Sequence, residues 1–377
     1  MSGFSADDHR HMARALQLAA LGLETTHPNP RVGCVIVSGD DVVAEGWHVR
    51  AGGPHAEADA LAKAGSAARG ATAYVTLEPC CHTGRTPPCT GALIAAGIRR
   101  VVYGARDPNP RVDGGGERAL REAGIEVSGG LMAVDSERLN AGFVQRMRLG
   151  RPLVRTKIAA TLDGRTALAD GRSQWITGAA AREDVQRWRA RSAAILTGIG
   201  TVLADDPAMN VREAGQPRPV QPLRVIIDSK YRTPPGARIL SGPGEVLLIG
   251  VAGGDASAVR RSDGLARAGA LVETVDDDNG RVDLQAVLRR LGELEINEVW
   301  VEAGPLLNGA LLAARLVDEL IVYQAASVLG DGARGMFSMP APDDIASRAR
   351  FRLQDARRVG EDLRLTYMPA MEPGRAH

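Results

Sequence analysis

The chain has 377 residues, which exceeds what one ordinary hydrophobic core organises, so we expect two domains. Its formal net charge is +1 and only 3% of its residues are aromatic, so it offers neither the basic surface nor the stacking platforms that a nucleic-acid partner needs. No apolar run approaches the roughly 20 residues that cross a bilayer, and we expect no membrane association.

The first half alternates between helix and strand patterns. Ser5 and Asp8 form a capping-box pattern at the start of a helix, and the charged residues from Asp7 to Arg10 do not resemble a signal peptide. The periodicity predicts strands at 32–37, 42–47, 71–77, 99–103 and 125–127 and helices at 56–64, 117–123 and from Cys89 to 97. This alternation predicts an α/β/α layered sheet.

A zinc-deaminase pattern lies in this half. His55 and Glu57 stand at the start of the predicted 56–64 helix, while Cys80 follows a predicted strand and Cys89 begins a helix. One imidazole and two thiolates leave a tetrahedral zinc ion with an open position, which is typical of a catalytic site. A carboxylate two residues from the histidine is the proton shuttle that nucleobase deaminases need. We therefore predict His55, Cys80 and Cys89 as zinc ligands and Glu57 as the catalytic acid-base.

A closed structural zinc site is the alternative interpretation. It needs a fourth protein ligand, for which Cys81 and His82 are candidates, and His55 could simply be a core histidine. The catalytic interpretation is favoured because helix N-termini lower thiol pKa values, which suits Cys80 and Cys89 for metal binding. Since three of the four cysteines lie in this window, we expect a reducing cytoplasm rather than a disulfide framework.

A basic stretch containing a glycine and a proline, at 146–152, predicts a domain boundary, so we expect domains over 1–150 and 151–377. The second half repeats the α/β alternation. Strands are predicted at 153–160, 193–197, 223–228, 245–251, 270–275, 297–302, 319–324 and 363–368, and the clearest helices at 179–191, 284–291 and 306–314.

Three turns in the second half suggest a nucleotide. Glycine-containing turns follow strands at 197–201 and 302–305, where backbone amides at a helix start could contact phosphates. Ser229, Lys230 and Arg232 follow another strand and favour NADP over NAD, because hydroxyl and cationic groups suit a 2′-phosphate. Each turn alone could be an ordinary loop, and only their combination predicts a nucleotide-binding domain.

Longer segments resemble a known family over nearly the whole chain. They read NPRVG at 29–33, GGPHAE at 52–57, EPCCHTGRTPPC at 78–89, KIAATLDGRT at 157–166, SQWIT at 173–177 and GIGTVLADDPAMNVR at 198–212. In this order they resemble the bifunctional deaminase/reductases of riboflavin biosynthesis. The resemblance implies a cytidine-deaminase-like three-layer α/β/α domain followed by a dihydrofolate-reductase-like α/β domain, with Zn²⁺ and NADPH as cofactors.

The resemblance also implies roles for further residues. Asn29, His48 and Arg85 would line the pocket for the pyrimidine and its ribose phosphate, or else be a turn asparagine, a surface histidine and a solvated arginine. The expected NADP contacts are Ala159, Trp175, Thr201, Asp205, Ser229, Gly304, Pro305, Leu306, Leu307, Asn308, Gly309 and Ala310. The expected substrate contacts of the second half are Ser173, Arg189, Met209, Arg212 and Glu302.

Plain alternatives exist for three of these residues. Trp175 could be a core side chain, and Arg189 and Arg212 could be surface charges. The functional interpretation is favoured for the two arginines because guanidinium groups suit a substrate phosphate through bidentate hydrogen bonds.

The implied function is hydrolytic deamination of 2,5-diamino-6-ribosylamino-4(3H)-pyrimidinone 5′-phosphate, followed by NADPH reduction of the product's ribosyl group to ribityl. Its partners would be phosphorylated pyrimidines, with no nucleic acid or membrane, and a second copy of the chain bound through the reductase half. A polynucleotide- or tRNA-editing deaminase uses the same zinc ligands, but neutral charge and scarce aromatics oppose it. The other alternative is a structural zinc domain fused to a nucleotide-binding regulator.

Overall fold

The computed structural model describes residues 3–82, 87–218, 220–253 and 256–370, so Arg85 lies outside the described residues. The chain divides into two compact units, Met1–Arg151 and Pro152–His377. Each unit carries its own sheet and its own hydrophobic clusters. Within the described ranges, no helix is both long and apolar enough to cross a membrane.

The first unit is built on one mixed sheet. Its elements in chain order are α1 (Ala6–Ala20), β1 (Gly33–Ser38), β2 (Asp41–Trp47), α2 (Ala56–Ala64), β3 (Thr72–Leu77), α3 (Cys89–Ala95), β4 (Arg100–Ala105), α4 (Gly115–Glu122), β5 (Glu126–Gly129), α5 (Ala133–Leu139) and α6 (Ala141–Leu149). The strand order is β2-β1-β3-β4-β5, with β1 antiparallel to both neighbours and β3 to β5 parallel.

Helices cover both faces of this sheet, because successive strand residues point to opposite sides. Ile36 of β1 enters a cluster with Leu93 of α3, whereas its neighbour Val35 enters a cluster with Met12 of α1. All four side chains are fully buried. The first unit therefore has the α/β/α layers that the sequence predicts.

The predicted start of α1 is confirmed, since the Ser5 hydroxyl accepts from the Asp8 N–H and the Asp8 carboxylate accepts from the Ser5 N–H. The bounds of α2 also match the prediction. The pair α5 and α6 was not predicted, because both helices are short and lack a long apolar period. The first residues of the basic stretch at 146–152 are therefore helical, because α6 continues to Leu149. The helix is capped by Gly150, whose φ of +68° favours glycine.

The second unit contains a larger sheet. Its elements are β6 (Leu153–Thr161), β7 (Arg165–Ala167), α7 (Ala179–Arg191), β8 (Ala194–Gly198), α8 (Ile199–Asp205), β9 (Arg212–Glu213), β10 (Gln216–Pro217), β11 (Leu223–Ile227), β12 (Val246–Val251), α9 (Ala256–Arg267), β13 (Leu271–Val275), β14 (Asp277–Asp278), β15 (Arg281–Val282), α10 (Leu284–Glu293), β16 (Glu298–Glu302), α11 (Pro305–Ala313), β17 (Glu319–Ala325), β18 (Arg334–Gly335), β19 (Phe351–Val359) and β20 (Asp362–Pro369).

The nine strands of this sheet follow the order β13-β12-β11-β8-β16-β6-β17-β20-β19. All pairs from β13 to β17 are parallel, and the last two strands are antiparallel. After β8 the chain continues to β11 on one side, whereas after β16 it continues to β17 on the other. Such a change of direction opens a crevice at the carboxyl ends of the two strands, where α/β proteins bind ligands.

Most predicted elements of the second unit are present, and α7 has the predicted bounds. The helix α9 and the edge strand β19 were not predicted. In β19 the side chains of Arg352, Arg357 and Arg358 are exposed, so the strand lacks the apolar alternation that marks a half-buried strand. Charged residues are common on edge strands because they oppose unwanted pairing.

Candidate active sites

Three potential metal ligands converge in the first unit. His55 is the residue before α2, Cys80 lies just after β3, and Cys89 begins α3. The Nδ1 atom of His55 is 3.2 Å from Sγ of Cys89 and 3.6 Å from Sγ of Cys80. The ligand atoms of the three residues all lie within 4.8 Å of one another, so one ion could contact them together. One imidazole and two thiols are a donor set that suits Zn²⁺.

The protons of this cluster are shared unequally. A hydrogen bond from the Cys89 thiol lowers the pKa of Cys80 to about 4, helped by the neighbouring His55. The same bond raises the pKa of Cys89, and the Cys80 thiolate raises the pKa of His55. The three groups therefore share protons, and a metal ion bound here would displace them because ligands bind in their deprotonated forms.

Glu57 lies beside the cluster without belonging to it. It is 3% exposed and sits in the first turn of α2, two residues after His55. Burial raises the pKa of its carboxyl group, and the negative charge of Cys80 raises it further. A carboxyl group with a raised pKa next to a metal site is suited both to accept and to return a proton.

Cys81, one of the two candidate fourth ligands, has another partner. Sγ of Cys81 lies 3.7 Å from the carbonyl oxygen of Arg111, to which it donates, and burial raises the pKa of this thiol. Within the described part of the chain, the metal-ligating group consists of His55, Cys80 and Cys89 alone. This arrangement leaves a coordination position open, as the catalytic interpretation requires.

Asn29 and His48 form a second pair next to the metal cluster. Nδ1 of His48 is 2.8 Å from the Pro54 carbonyl oxygen, which only accepts, so Nδ1 carries the proton. Burial lowers the pKa of His48, and its neutral Nε2 accepts from Nδ2 of Asn29 at 3.0 Å. The His48 ring meets His55 edge-on at 5.4 Å and is 2% exposed, so the surface-histidine interpretation is wrong.

In the second unit, the structure joins three of the predicted substrate residues. Arg189 donates from Nε to Oε1 of Glu302 at 2.5 Å and from NH2 to Oε2 at 2.9 Å. Its NH1 donates to the Asn210 carbonyl oxygen at 2.9 Å, and NH2 lies 3.7 Å from Sδ of Met209. Arg189 is 9% exposed, so it is not a surface charge. Glu302 occupies its Nε and NH2 groups and the Asn210 carbonyl oxygen its NH1, so the guanidinium already has protein partners, and the expected bidentate contact with a phosphate stays a prediction.

Two neighbours of Glu302 were missed from the sequence. Lys157 of β6 pairs in register with Glu302 of β16, and together with Arg189 it lowers the pKa of Glu302 to about 2. Trp300 donates from Nε1 to Oε1 of Glu302 at 2.9 Å. A signal for Lys157 was available, since it is a charged residue in a strand whose residues are mostly buried.

The two predicted phosphate turns are adjacent in space. A Cβ added at Gly304 would lie 4.0 Å from Oγ1 of Thr201, and one added at Gly198 would lie 3.1 Å from Cδ2 of Leu307. Gly304 precedes α11, whose first residue is Pro305. Both turns follow the strands β8 and β16 that border the crevice.

The remaining candidates have diverse surroundings. Trp175 is 69% exposed under the Arg182 guanidinium, 4.5 Å from the ring centre, so it is not a core residue. Oγ of Ser229 accepts from the Val282 N–H at 3.1 Å. Asp205 and Arg212 are exposed, and Ala159 and Ser173 are half-buried.

The residues of α11 differ in how far their side chains are exposed. Leu306 is 71% exposed, while Asn308 is buried and donates to the Ala303 carbonyl oxygen at 3.0 Å. A Cβ added at Gly309 would lie 2.3 Å from the Ser338 carbonyl oxygen, so this glycine lets the helix approach another segment.

Family models match both units. A model described as "Cytidine and deoxycytidylate deaminase zinc-binding region" matches residues 5–105, and one described as "RibD C-terminal domain" matches residues 152–365. The riboflavin biosynthesis protein RibD of Escherichia coli strain K12 is 50% identical over 368 residues, which cover 94% of this chain and 98% of that protein.

Solved structures agree with these matches. A RibD structure from Acinetobacter baumannii, form 1, is 44% identical, covers 97% of this chain and 99% of its own, and superimposes with a TM-score of 0.89. A diaminohydroxyphosphoribosylaminopyrimidine deaminase/5-amino-6-(5-phosphoribosylamino)uracil reductase from Thermotoga maritima is 33% identical with the same coverage and a TM-score of 0.83. The predicted fold class, a deaminase-like domain followed by a reductase-like domain, is confirmed.

The metal cluster leads to a first testable outcome. Cys80→Ala leaves two ligands, so the purified protein should lose most of its zinc, measured by atomic emission after dialysis against a weak chelator. Cys81→Ala is the matched control, because it removes the adjacent thiol and should keep zinc at the level of the unchanged protein. Loss of zinc from both variants would show that Cys81 is a ligand and that the site is closed.

Proposed function

Because the chain belongs to the family of bifunctional deaminase/reductases of riboflavin biosynthesis, we propose a role in its two reactions for each of the site residues. The protein is a zinc-dependent deaminase and an NADPH-dependent reductase. The assignment of residues is carried by the three-ligand cluster beside Glu57. A RibD C-terminal domain accounts for residues 152–365, which neither a nucleic-acid-editing deaminase nor a structural zinc regulator explains.

For deamination we assign His55, Cys80 and Cys89 to Zn²⁺, which when bound polarises water for attack on the pyrimidine ring. The substrate is 2,5-diamino-6-ribosylamino-4(3H)-pyrimidinone 5′-phosphate, and ammonia leaves. Glu57 accepts a proton from the attacking water and returns it to the departing amine, a role that its burial and raised pKa suit.

The pocket beside the cluster would orient the pyrimidine. Because the Asn29 amide gives Nδ2 to His48, its Oδ1 is the atom that can accept from a ring N–H or an amino group. The Pro54 carbonyl holds the imidazole in the tautomer that this orientation needs. We assign Arg85, outside the described residues, to the ribose phosphate.

For reduction we assign NADPH, which supplies the hydride, to the crevice at the carboxyl ends of β8 and β16. The N-terminus of α11 after Gly304, with Thr201 beside it, offers backbone N–H groups to a phosphate. Ser229 follows β11, and its hydroxyl keeps a proton to donate to the 2′-phosphate. The other proposed cofactor contacts are Ala159, Trp175, Asp205 and residues 305–310.

The pyrimidine product of the first reaction is proposed to bind between Ser173, Met209 and Glu302. Since Arg189 is occupied by Glu302, its role is to hold that carboxylate, and the exposed Arg212 takes the substrate phosphate. In this assignment Arg189 holds the Glu302 carboxylate, and Arg212 lies where the substrate phosphate can reach it.

We assign deamination to residues 1–150 and reduction to residues 151–377, and we propose a homodimer formed through the second unit. The edge strand β19 and its neighbour β20 carry Leu353 and Leu363, which are 52% and 45% exposed. A second copy over this edge would cover unpaired backbone groups and both leucines. Thiol ligands and free cysteines favour a cytoplasmic location.

Glu57 provides the sharpest test of the deaminase assignment. Glu57→Gln should keep its zinc while ammonia release falls by about 10²–10⁴-fold, the scale of a lost general acid-base. Reduction of separately supplied deaminated product should be unchanged in the same preparation, which serves as the internal control. Normal deamination would remove Glu57 from catalysis, and loss of zinc would make it a ligand.

Ser229 tests the assignment of NADPH. Ser229→Asp places a carboxylate where the 2′-phosphate is proposed to lie, so the KM for NADPH should rise about tenfold or more while the KM for NADH changes little. Ser241→Asp, which adds the same charge at an exposed position of the second unit, is the control for charge alone. Equal changes for the two cofactors would show that Ser229 does not contact this phosphate.

The domain and dimer assignments share one experiment. Residues 151–377 produced alone should reduce the deaminated intermediate with NADPH and should have the mass of a dimer by light scattering. Leu353→Glu in the full chain should shift that mass toward the monomer, because it places charge on the proposed interface. A folded but inactive fragment would contradict the domain assignment, and a monomeric full chain would contradict the dimer.

A further inference from the structure

Glu302, the last residue of β16, is held by donors from two directions. Arg189 of α7 donates to both carboxylate oxygens, at 2.5 Å to Oε1 and 2.9 Å to Oε2. Trp300, two residues earlier on the same face of the strand, donates from Nε1 to Oε1 at 2.9 Å. Each carboxylate oxygen has about two acceptor positions. Oε1 is therefore filled, whereas Oε2 keeps one position for a further donor.

The open position remains within reach of a ligand. The Glu302 side chain is 12% exposed, so it is not sealed into the core. It lies at the carboxyl end of β16, beside Lys157 of β6 and the crevice of the sheet. A donor that enters from the crevice would meet an ionised carboxylate, because Arg189 and Lys157 lower the pKa of Glu302 to about 2.

Trp300 itself has little freedom to move. Its side chain is fully buried and stacks on Trp188 of α7, with the ring centres 5.4 Å apart and the planes 5° apart. The guanidinium carbons of Arg191 and Arg364 lie 4.7 Å and 5.6 Å from the Trp188 ring centre. Stacking and cation–π contacts hold the pair in one orientation, so the direction of the indole N–H is fixed.

We propose that Trp300 is a positioning residue of the reductase site, which fills Oε1 of Glu302 so that Oε2 alone accepts a hydrogen bond from the pyrimidine substrate. Arg189 alone would fix the plane of the carboxylate but leave an acceptor position on each oxygen. With Trp300 present, a substrate hydroxyl or ring N–H can donate only to Oε2 of Glu302. The alternative pose, in which it would donate to Oε1, is excluded. This inference rests on the proposed place of Glu302 in the substrate pocket.

The test uses the full-length holoenzyme, supplied with the deaminated pyrimidine and NADPH. Trp300→Phe keeps an aromatic ring against Trp188 but removes the donor, so kcat/KM for the pyrimidine should fall about tenfold, mainly through KM. The KM for NADPH should stay within about twofold. Trp188→Phe makes the same change of size in the other half of the stack but leaves the Trp300 N–H in place with an aromatic ring to stack on, so it should lower kcat/KM for the pyrimidine less than Trp300→Phe does. A second variant carries the benzothiophene isostere of tryptophan at position 300, which keeps the ring volume without the N–H and should behave like Trp300→Phe.

Glu302→Gln separates the two assumptions. If Glu302→Gln reduces the pyrimidine normally, the proposed substrate pocket fails, whatever the result at Trp300. If it is impaired while the isostere at 300 is fully active, the pocket stands and the positioning role of Trp300 is overturned. Equal losses of kcat/KM for the pyrimidine in Trp188→Phe and Trp300→Phe would also overturn the positioning role. So would a rise of the KM for NADPH as large as that for the pyrimidine, because a structural defect would weaken the binding of both. Combining Trp300→Phe with Glu302→Gln should add little to the loss of Glu302→Gln alone.

Discussion

The ion pair between Arg189 and Glu302 determines much of the second unit's site. Both side chains are about nine-tenths buried, and an unpaired charge at such a depth costs several kcal/mol, roughly 3–5 when one partner is removed. The pair therefore needs further partners. Asn210 and Met209 contact Arg189, and Trp300 donates to Oε1 of Glu302. The need to pair these two buried charges thus joins a helix, a strand and a loop at the carboxyl end of β16.

A buried carboxylate has the same organising effect in the first unit. Glu78 is 2% exposed and accepts backbone N–H groups from Asp107, Gly114 and Glu117, at 3.4, 3.1 and 3.1 Å. These bonds tie the start of α4 to the segment that carries Cys80. Gly116 permits the approach, since a Cβ there would lie 2.0 Å from the Pro79 carbonyl oxygen. Contacts other than metal ligation therefore fix the segment that carries Cys80.

Local patterns were sufficient to predict the metal cluster, because the elements that place its ligands are also local. His55 and Cys89 stand at helix starts that periodicity reveals, and Cys80 follows a strand of buried residues. The second site could not be predicted in the same way. Arg189 and Glu302 are separated by 113 residues, so nothing in either segment shows that the guanidinium fork is already occupied.

The elements that the sequence did not reveal also depend on distant partners. Asn140, between α5 and α6, accepts from the Arg31 N–H at 2.7 Å and donates to the Arg31 carbonyl oxygen at 2.9 Å. This amide satisfies both backbone groups of a residue near Asn29, and such a contact across the chain leaves no periodic trace. The strand β19 was missed for the opposite reason, since its exposed arginines follow no apolar alternation.

The two sites handle charge differently, which follows from what each must bind. In the first unit, the thiols and the imidazole share protons, so the charge of the cluster changes when a cation displaces them. In the second unit, Arg189 and Lys157 outweigh the effect of burial and lower the pKa of Glu302 to about 2, so this group is ionised near neutrality and its charge does not change there. A group with a constant charge serves to accept a hydrogen bond in a fixed geometry. Burial raises the pKa of Glu57 instead, which suits this carboxyl group to gain and lose a proton, as proton transfer requires. Burial acts on both carboxylates, and the cations beside Glu302 reverse its effect there.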